Sequence, residues 1–441
     1  MRPKVIFINP PDPNRTSEEL DASIMPLGLG YLGAVLENNG YEVEVVDIDQ
    51  NADEISYLEG EIEQASDILC VGLTSTSYSY LTAIAIADRL KKIEPRLPVL
   101  MGGCHVSFTV RQTLSRHPAI DIIVKGEGEE TVLEVCEALR YKDKLNNIKG
   151  IAYREEGRIF EQANRETISC IDKLPLPAYH QYRSKYKLPA LITSRGCPGR
   201  CIFCSQSAMN QYMYRRHTPE RVLREIETIR NSAFSDSRHI LICDSTFTAD
   251  TRRVRRLCRL LEIINTEITF DCHSRADVLS RELLTVMSRA GFRQIYVDIE
   301  SASKAVTVNL PKAISLNQIK DSVKWASDVG IQIIPSFIVG LPEETETSVQ
   351  ETIHFAKELM QLGAGKPVIS RFTPFPGTPV FENREAFGIE FDPDLWEGWE
   401  ASGKQSKLKT KNLSHEQISQ LYMDFVFEVT RINQQCQSPN R

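Results

Sequence analysis

Short apolar runs alternate with amphipathic stretches through the first third of the chain. KVIFIN (4–9), EVEVVD (42–47), ILCVGL (68–73), PVLMGG (98–103) and DIIVKG (121–126) read as strands. LGLGYLGAVLENNG, YLTAIAIADRLKKI and GEETVLEVCEAL repeat apolar residues at helical spacing. This alternation predicts an α/β fold, with a doubly wound parallel sheet over residues 1–149 and ligands at the carboxyl ends of its strands. Residues 150–187, with REEGRIF and LPLPAYH, read as a small hairpin and a proline-rich connector. Alternation resumes at ALITS and runs through RHILICD, EITFDC, QIYVDI, IQIIPSFIVG and PVISRF. Six strand–helix units over 188–372 predict a partial (β/α)6 barrel with its site at the strand C-termini. The remainder, 373–441, has proline-rich turns, two tryptophans and one late helix that opens on Ser414 and Gln417 at capping-box spacing. It reads as a small, mainly helical segment that covers the substrate.

Composition narrows the class. The 441 residues suffice for two or three domains, and 41% hydrophobic with 25% charged residues is ordinary for a globular protein. A net charge of −7 argues against a broad nucleic-acid surface. No stretch is apolar for long enough to span a membrane. The opening MRPKVIFINPP reads as a strand without a signal-peptide cleavage region, which leads to a cytoplasmic expectation. In that reducing compartment most of the eleven cysteines are free thiols or metal ligands.

SRGCPGRCIFCS sets Cys197, Cys201 and Cys204 within eight residues. Three thiolates do not complete a structural zinc site, which takes four protein ligands. They do hold three irons of a 4Fe–4S cluster and leave the fourth open to a small molecule. A zinc knuckle completed by a distant ligand such as His217 is the alternative. CxxxCxxC with an aromatic, Phe203, before the last cysteine resembles the radical S-adenosylmethionine superfamily. That resemblance implies that S-adenosylmethionine chelates the open iron and that its reductive cleavage yields methionine and a 5′-deoxyadenosyl radical. LICDSTFTAD, HSRADVLS, GFRQIYVDIES and IVGLPEET resemble successive strand ends of these enzymes. By the same resemblance Phe203, Asp244, Arg275 and Glu300 are candidate S-adenosylmethionine contacts. An ion pair between Arg275 and Asp244 across the barrel mouth is the plainer reading of those two.

GLGYLG offers Gly28, Gly30 and Gly33 in GxGxxG spacing, but a long insertion separates them from the first strand. A dinucleotide fingerprint needs a tight strand-to-helix turn, so these glycines serve close helix packing or approach to a large planar ligand. The loops NPP, TSTSYS, GGCHVS and GEGEE share one rim of the sheet. Hydroxyls at Thr74, Ser75, Thr76 and Ser77 can bond amides or a phosphate, and Gly102, Gly103, Gly126 and Gly128 permit close backbone approach. This series resembles the cobalamin-binding domain that precedes the radical domain in one branch of the superfamily. The resemblance spans nearly all of residues 1–365 and adds Pro26, Leu27, Gly28, His105 and Glu127 to the candidate cobalamin contacts. The DxHxxG motif is absent, so cobalamin would be held base-off without that histidine. His105 approaches the corrin or is a structural histidine, and a degenerate domain that binds nothing is the remaining alternative.

Other features have bland readings. Arg252, Arg255, Arg256 and Arg259 form a helical stripe that suits an acidic partner or merely solvent. Tyr296 and Arg371 occupy strand positions expected to face the barrel, each as core or as substrate contact. The remaining cysteines are dispersed, without spacing that suggests a further metal site.

The resemblance implies a cobalamin-dependent radical C-methyltransferase acting on an unactivated carbon, fed by an external electron donor such as a ferredoxin or flavodoxin. Its substrate would be a peptide or protein residue, a lipid, a tetrapyrrole or an antibiotic precursor, with no nucleic-acid or membrane partner. Length and the short C-terminal segment also resemble the glutamine C-methyltransferases that modify methyl-coenzyme M reductase. A cyclase or rearrangement enzyme with the same cofactors is the nearest rival. A non-catalytic cobalamin carrier or sensor is the rival of another class.

Overall fold

The computed structural model describes residues 2–12, 25–48, 52–64, 67–182, 186, 188–232, 234, 236–264, 267–307, 315–393, 396 and 406–437. Most of the insertion before Gly28, and Trp399, lie outside these residues. The chain forms two compact units: residues 1–188 with 208–211 and 225–236, and residues 189–207, 212–224 and 237–441.

In the first unit the five expected strands form: β1 (Lys4–Asn9), β2 (Glu42–Asp47), β3 (Ile68–Thr74), β4 (Val99–Gly102) and β5 (Ile122–Val124). They are parallel in the order 2-1-3-4-5. Helices α1 (Leu27–Asn38), α2 (Ala52–Gln64), α3 (Tyr80–Ile93), the short α4 (Cys104–Phe108) and α5 (Val110–Arg116), and α6 (Glu129–Tyr141) connect them. Strand order reverses at β1, so the carboxyl ends of β1 and β3 open a crevice at the switch point. The segment expected as a separate connector begins as two more strands, β6 (Ile151–Glu155) and β7 (Arg158–Glu161). β6 pairs antiparallel with β5, so the hairpin completes a seven-stranded sheet. The reason is burial: Ile151 and Tyr153 join Ile122, Val135 and Leu100 in one core. Tyr179 further ties 225–236 into this unit through a buried hydrogen bond to Glu225 at 2.7 Å.

The second unit opens with β8 (Ala190–Leu191), followed by a small antiparallel pair, β9 (Ser194–Arg195) and β10 (Arg215–Arg216), that flanks the cysteine loop. Then come β11 (His239–Ile242), β12 (Thr269–Ser274), β13 (Phe292–Glu300), β14 (Gln332–Val339) and β15 (Val368–Arg371). These five join β8 in a six-stranded parallel sheet, in the order 15-14-13-12-11-8. Helices α7 (Pro219–Arg230), α8 (Thr251–Ile264), α9 (Arg281–Arg289), α10 (Leu316–Asp328) and α11 (Glu346–Gln361) alternate with the strands. One face of the sheet is fully buried, carrying Phe270, Cys272, Ile295, Val297 and Phe337. Register places Asp271 beside Gln294, His273 beside Tyr296 and Asp298 beside Ser336 on the opposite face.

After β15 the chain adds a short helix, α12 (Pro379–Glu382), and the late helix, α13 (His415–Gln437). Two expectations divide here. Helix α13 does open with a reciprocal capping box, since Gln417 N–H donates to Ser414 Oγ and Ser414 N–H to Gln417 Oε1. It does not cover the polar face. Phe425 packs against Phe337 with ring centroids 5.5 Å apart, and Lys357 of α11 bonds Glu428 at 2.6 Å, so α13 lies on the helix-covered side. Arg371 belongs there too: it pairs in register with Val339, is buried, and stacks over Tyr422 at 5.5 Å. Tyr296, on β13, does sit on the polar face. Among the described residues no helix is long and apolar enough to cross a membrane.

Candidate active site

The cysteine loop leaves β9 and wraps around Gly199. A Cβ on Gly199 would stand 3.4 Å from Cys197 Sγ, 3.8 Å from Cys201 Sγ and 3.6 Å from Arg275 Nη1. Two thiols and a guanidinium thus converge on a point that any other side chain would fill. Gly199 N–H donates to Cys197 Sγ at 3.3 Å, and Thr246 Oγ1 lies 3.5 Å from the same sulfur. Ser207 Oγ donates to Gly199 O at 2.5 Å, and Val380 N–H donates to Ile202 O at 3.2 Å. That last bond comes from α12, so the C-terminal segment clamps the cysteine loop. Burial pushes the Cys204 thiol up to about 11. Among the described residues no three His, Cys, Asp or Glu groups come close enough to hold a single metal ion. Thiols spread around a glycine cradle suit a cluster, whose irons are held one per sulfur.

The polar residues expected around the loop have separate fates. Arg275 does not pair with Asp244. It makes a two-pronged bond to Asp277, Nε to Oδ1 at 3.0 Å and Nη2 to Oδ2 at 2.8 Å. This bond, with the nearby thiols, raises its pKa, so a fixed positive charge stands beside Cys197 and Cys201. Asp244 is buried and accepts four hydrogen bonds, from the N–H and hydroxyl of both Thr193 and Ser194, at 2.5 to 3.0 Å. Four donors fill the acceptor sites of a carboxylate. Asp244 is therefore a positioning residue for the strand that feeds the cysteine loop, and this corrects its expected place as a cofactor contact.

Glu300 ends β13 after a register shift between Asp298 and Glu300, and its φ of 70° is left-handed. A non-glycine residue held there costs on the order of 1 kcal/mol or more, and such strain gathers at functional sites. Glu300 is 3% exposed and close enough to Cys204 to raise its pKa. Phe203 is half-buried in the loop.

On the rim of the first unit, Gly103 locks two loops together. Its φ is 105°, and a Cβ there would lie 2.4 Å from Ser75 O and 2.7 Å from Ser75 N. His105 N–H then donates to Ser75 O at 3.3 Å. Most rim hydroxyls already have partners inside the loop: Thr76 Oγ1 and Ser79 Oγ are 3.1 Å apart, and Ser77 Oγ lies 3.0 Å from His105 Nδ1. His105 does not face the rim. It is 1% exposed and stacked on Tyr80 at 4.2 Å, and burial pushes its pKa down to about 3. A neutral buried imidazole that props up Ser77 is structural, the second of the two readings open for His105, and it replaces the approach to the corrin.

The other rim candidates divide in the same way. Glu127 Oε2 accepts from Ile168 N–H at 2.8 Å, and Pro26 O accepts from Tyr182 Oη at 2.6 Å, so both brace the loops. Leu27 is buried. Gly30 and Gly33 serve packing: a Cβ on Gly30 would meet Tyr182 Oη at 2.8 Å, and one on Gly33 would meet Val43 at 3.5 Å. Gly128 backs onto Leu32 at 3.2 Å. Gly28 and Gly126 face open space, with nothing within 4 Å of a Cβ, and Gly102 and Thr74 are half-buried at the strand ends. Gly28 and Gly126 thus leave backbone open to approach, while Gly103 joins the loops between them.

Several contributors escaped the sequence. Thr246, within DSTFTAD, is marked only by its place after a strand. Ser207 and Val380 act on the loop through backbone carbonyls, which no motif encodes. Arg253, on α8 but off that stripe and buried, donates to His217 O at 2.9 Å and Thr193 O at 2.8 Å. Its neighbours Arg255 and Arg256 pair with Glu282 and Glu220, the solvated reading of the stripe.

Comparison with known proteins adds the family. The radical SAM superfamily model matches residues 191–356, and the B12 binding domain model matches residues 18–136. An uncharacterized methyltransferase of Pyrococcus horikoshii is 31% identical over 95% of this chain and 90% of its own. The anaerobic magnesium-protoporphyrin IX monomethyl ester cyclase of Rubrivivax gelatinosus is 26% identical over 86% of this chain and 69% of its own. Among solved structures, the radical S-adenosylmethionine methyltransferase TsrM from Kitasatospora setae matches with a TM-score of 0.77 at 16% identity. The match covers 98% of this chain and 89% of that one, a likeness of fold.

Proposed function

Starting from a chain that belongs to the cobalamin-dependent radical S-adenosylmethionine methyltransferase family, we propose that it methylates an unactivated carbon of a peptide or protein residue. The observation that carries the reading is the convergence of Cys197, Cys201 and Arg275 on Gly199, in a chain whose other unit keeps an open, glycine-built B12 rim. Bound, the cluster with S-adenosylmethionine supplies hydrogen-abstracting radical chemistry, and cobalamin supplies a methyl carrier.

The chain's own residues have distinct tasks in this reading. Cys197, Cys201 and Cys204 hold the cluster, and Arg275 balances the charge of their thiolates. Glu300 and Phe203 orient S-adenosylmethionine. Gly28, Thr74, Gly102 and Gly126 receive the corrin. The polar face of the barrel sheet meets the substrate: Ser336 Oγ donates to Asp298 at 2.8 Å, and Tyr296 stacks on His273 at 5.0 Å. Such a face suits an amide-bearing substrate better than a lipid chain, which would leave these groups unpaired.

The test is product stoichiometry with protein purified without oxygen and loaded with cobalamin. Equal amounts of S-adenosylhomocysteine and 5′-deoxyadenosine in the presence of a methyl-accepting peptide are expected. Deoxyadenosine without S-adenosylhomocysteine would favour ring formation, the activity named for the Rubrivivax gelatinosus relative.

A further inference from the structure

The hairpin side of the first unit holds a cavity that the chemistry above does not use. Its volume is about 440 Å³, and its walls come from Glu130 at the start of α6, Lys149, residues 165–170, Lys173 and Leu174. Lys125 N–H donates to Gly150 O at 2.8 Å, so the cavity lies past the carboxyl end of β5. β4 stands between that strand and the switch point at β1 and β3. The backbone around it is fixed. Ile168 N–H donates to Glu127 Oε2 at 2.8 Å, Gln211 Nε2 to Arg165 O at 2.6 Å, and Gly150 N–H to Ala163 O at 2.8 Å. Gly150 has a φ of 78°, and a Cβ there would lie 3.1 Å from Arg165 Cβ, so the two segments pass in close contact. A 3-10 turn, Ile171–Lys173, anchored by buried Ile171, carries the chain on to Leu174.

The charged groups divide into those spent on the wall and those left over. Arg165 is spent: Nη1 bonds Glu130 Oε2 at 3.4 Å, and Nη2 bonds Glu134. Lys149 and Lys173 are not. Among the described residues neither has a carboxylate within ion-pair distance, and the hydroxyls of Thr167 and Ser169 make no hydrogen bond. Glu166 is unpaired in the same sense. A rigid frame thus presents two ammonium groups, two hydroxyls and one carboxylate that the fold itself does not use.

We propose that this cavity binds a small phosphate monoester rich in hydroxyl groups, of the sugar-phosphate class. Lysine ammonium groups and hydroxyls are point donors that suit the several oxygens of a phosphate. A carboxylate ligand would instead favour the planar fork of an arginine, and the fork of Arg165 is occupied. Phosphate alone would leave most of the volume empty, since pockets of this size enclose whole small organic molecules. It would also leave Glu166 unpaired. An ionised carboxylate only accepts, so the rest of the ligand has to donate, as sugar hydroxyls do. The inference is independent of the methyl-transfer reading.

The experiment titrates ribose 5-phosphate, inorganic phosphate and ribose into the full chain by calorimetry, with and without bound cobalamin. Lys149→Glu/Lys173→Glu is the test variant. Lys92→Glu/Lys144→Glu, at exposed lysines outside the cavity, is the control for net charge. Ribose 5-phosphate is expected to bind more tightly than inorganic phosphate, and ribose alone not to bind. The test variant should raise its Kd by about tenfold or more, and the control should not. Glu166→Gln should narrow the advantage of ribose 5-phosphate over inorganic phosphate. Cys170 lines the cavity, so its alkylation by iodoacetamide, followed by mass spectrometry of its peptide, should slow as ribose 5-phosphate is added. Absence of saturable binding, an equal loss in the control, or unchanged Cys170 alkylation would overturn the proposal. So would inorganic phosphate binding as tightly as the sugar phosphate, which would reveal an anion patch that reads no sugar. Loss of binding on loading with cobalamin would give the cavity to that cofactor and overturn it equally.

Discussion

Thr193 gives Asp244 two hydrogen bonds, one from its backbone N–H and one from its hydroxyl, both at 2.5 Å. Ser194 repeats the pattern, so one buried carboxylate fixes two successive residues shortly before Cys197. Asp244→Asn can keep its amide oxygen under both N–H groups, but its NH2 then meets the Thr193 and Ser194 hydroxyls, which lose their charged acceptor, at about 1–3 kcal/mol. Because the bonds join protein atoms alone, the melting temperature of the apoprotein should fall. A pure cofactor contact would change only the loaded protein. Thermal melts with and without reconstituted iron make the comparison.

Alanine in place of Cys197, Cys201 or Cys204 should remove iron binding and S-adenosylmethionine cleavage together. The B12 rim is built from other residues, so cobalamin content should stay near the wild-type level. Iron assay and the visible spectrum of bound cobalamin on the same sample check both halves. Deoxyadenosine formation persisting in any of the three variants would contradict the cluster assignment.

Both sheets are legible in the sequence because each strand is a short apolar run bounded by turn residues, and each helix repeats its apolar positions at helical spacing. The hairpin at 151–161 is legible as a hairpin, but its pairing with β5 depends on a register that no local pattern carries. The cysteine triplet stands out as a local pattern in the same way. The error at Asp244 and the choices left open at His105 and Arg371 share one cause: a residue's place along a strand or loop is written in the sequence, while the direction of its side chain is set by packing. Asp244 turns back to Thr193, His105 turns inward to Ser77, and Arg371 turns under Tyr422.

Two rim glycines should respond in opposite ways to alanine. Gly103→Ala forces a Cβ to within 2.4 Å of the Ser75 carbonyl at a φ of 105°, so stability should drop by roughly 3 kcal/mol. Gly28→Ala meets nothing within 4 Å and improves the first turn of α1, so stability should hold or rise slightly. Its cobalamin affinity should nevertheless fall, because the added methyl occupies the open side of the rim. Denaturant melts of the apoprotein, set beside cobalamin titrations, separate the two effects.

The second unit should lose stability as pH rises through neutrality. Burial pushes the Glu344 carboxyl up to about 8, even though Gly340 and Leu341 N–H groups bond it at 2.6 and 3.3 Å. Its folded pKa lies above its unfolded value, so its contribution is complete below about pH 4.5 and is lost progressively up to about pH 8. Glu344→Gln keeps an acceptor for the same N–H groups and removes the titration. The variant's melting temperature should therefore fall less than the wild type's between about pH 5 and 8. Parallel pH profiles for the two proteins would count against this account.

Glu300 provides the sharpest contrast between folding and function. Its left-handed φ of 70° follows a register shift in β13, so the backbone there favours glycine. Glu300→Gly relieves that strain but empties a buried position, so the apoprotein should lose stability by less than the loss of a buried side chain alone would cost. Glu300→Gln keeps the strain and the shape but removes the charge. If the carboxylate orients S-adenosylmethionine, both variants should bind that molecule more weakly, and both should retain iron and cobalamin. A merely structural Glu300 would leave S-adenosylmethionine binding intact in the glutamine variant. Equilibrium binding of S-adenosylmethionine to the iron-loaded proteins, read beside apoprotein melts, distinguishes the two.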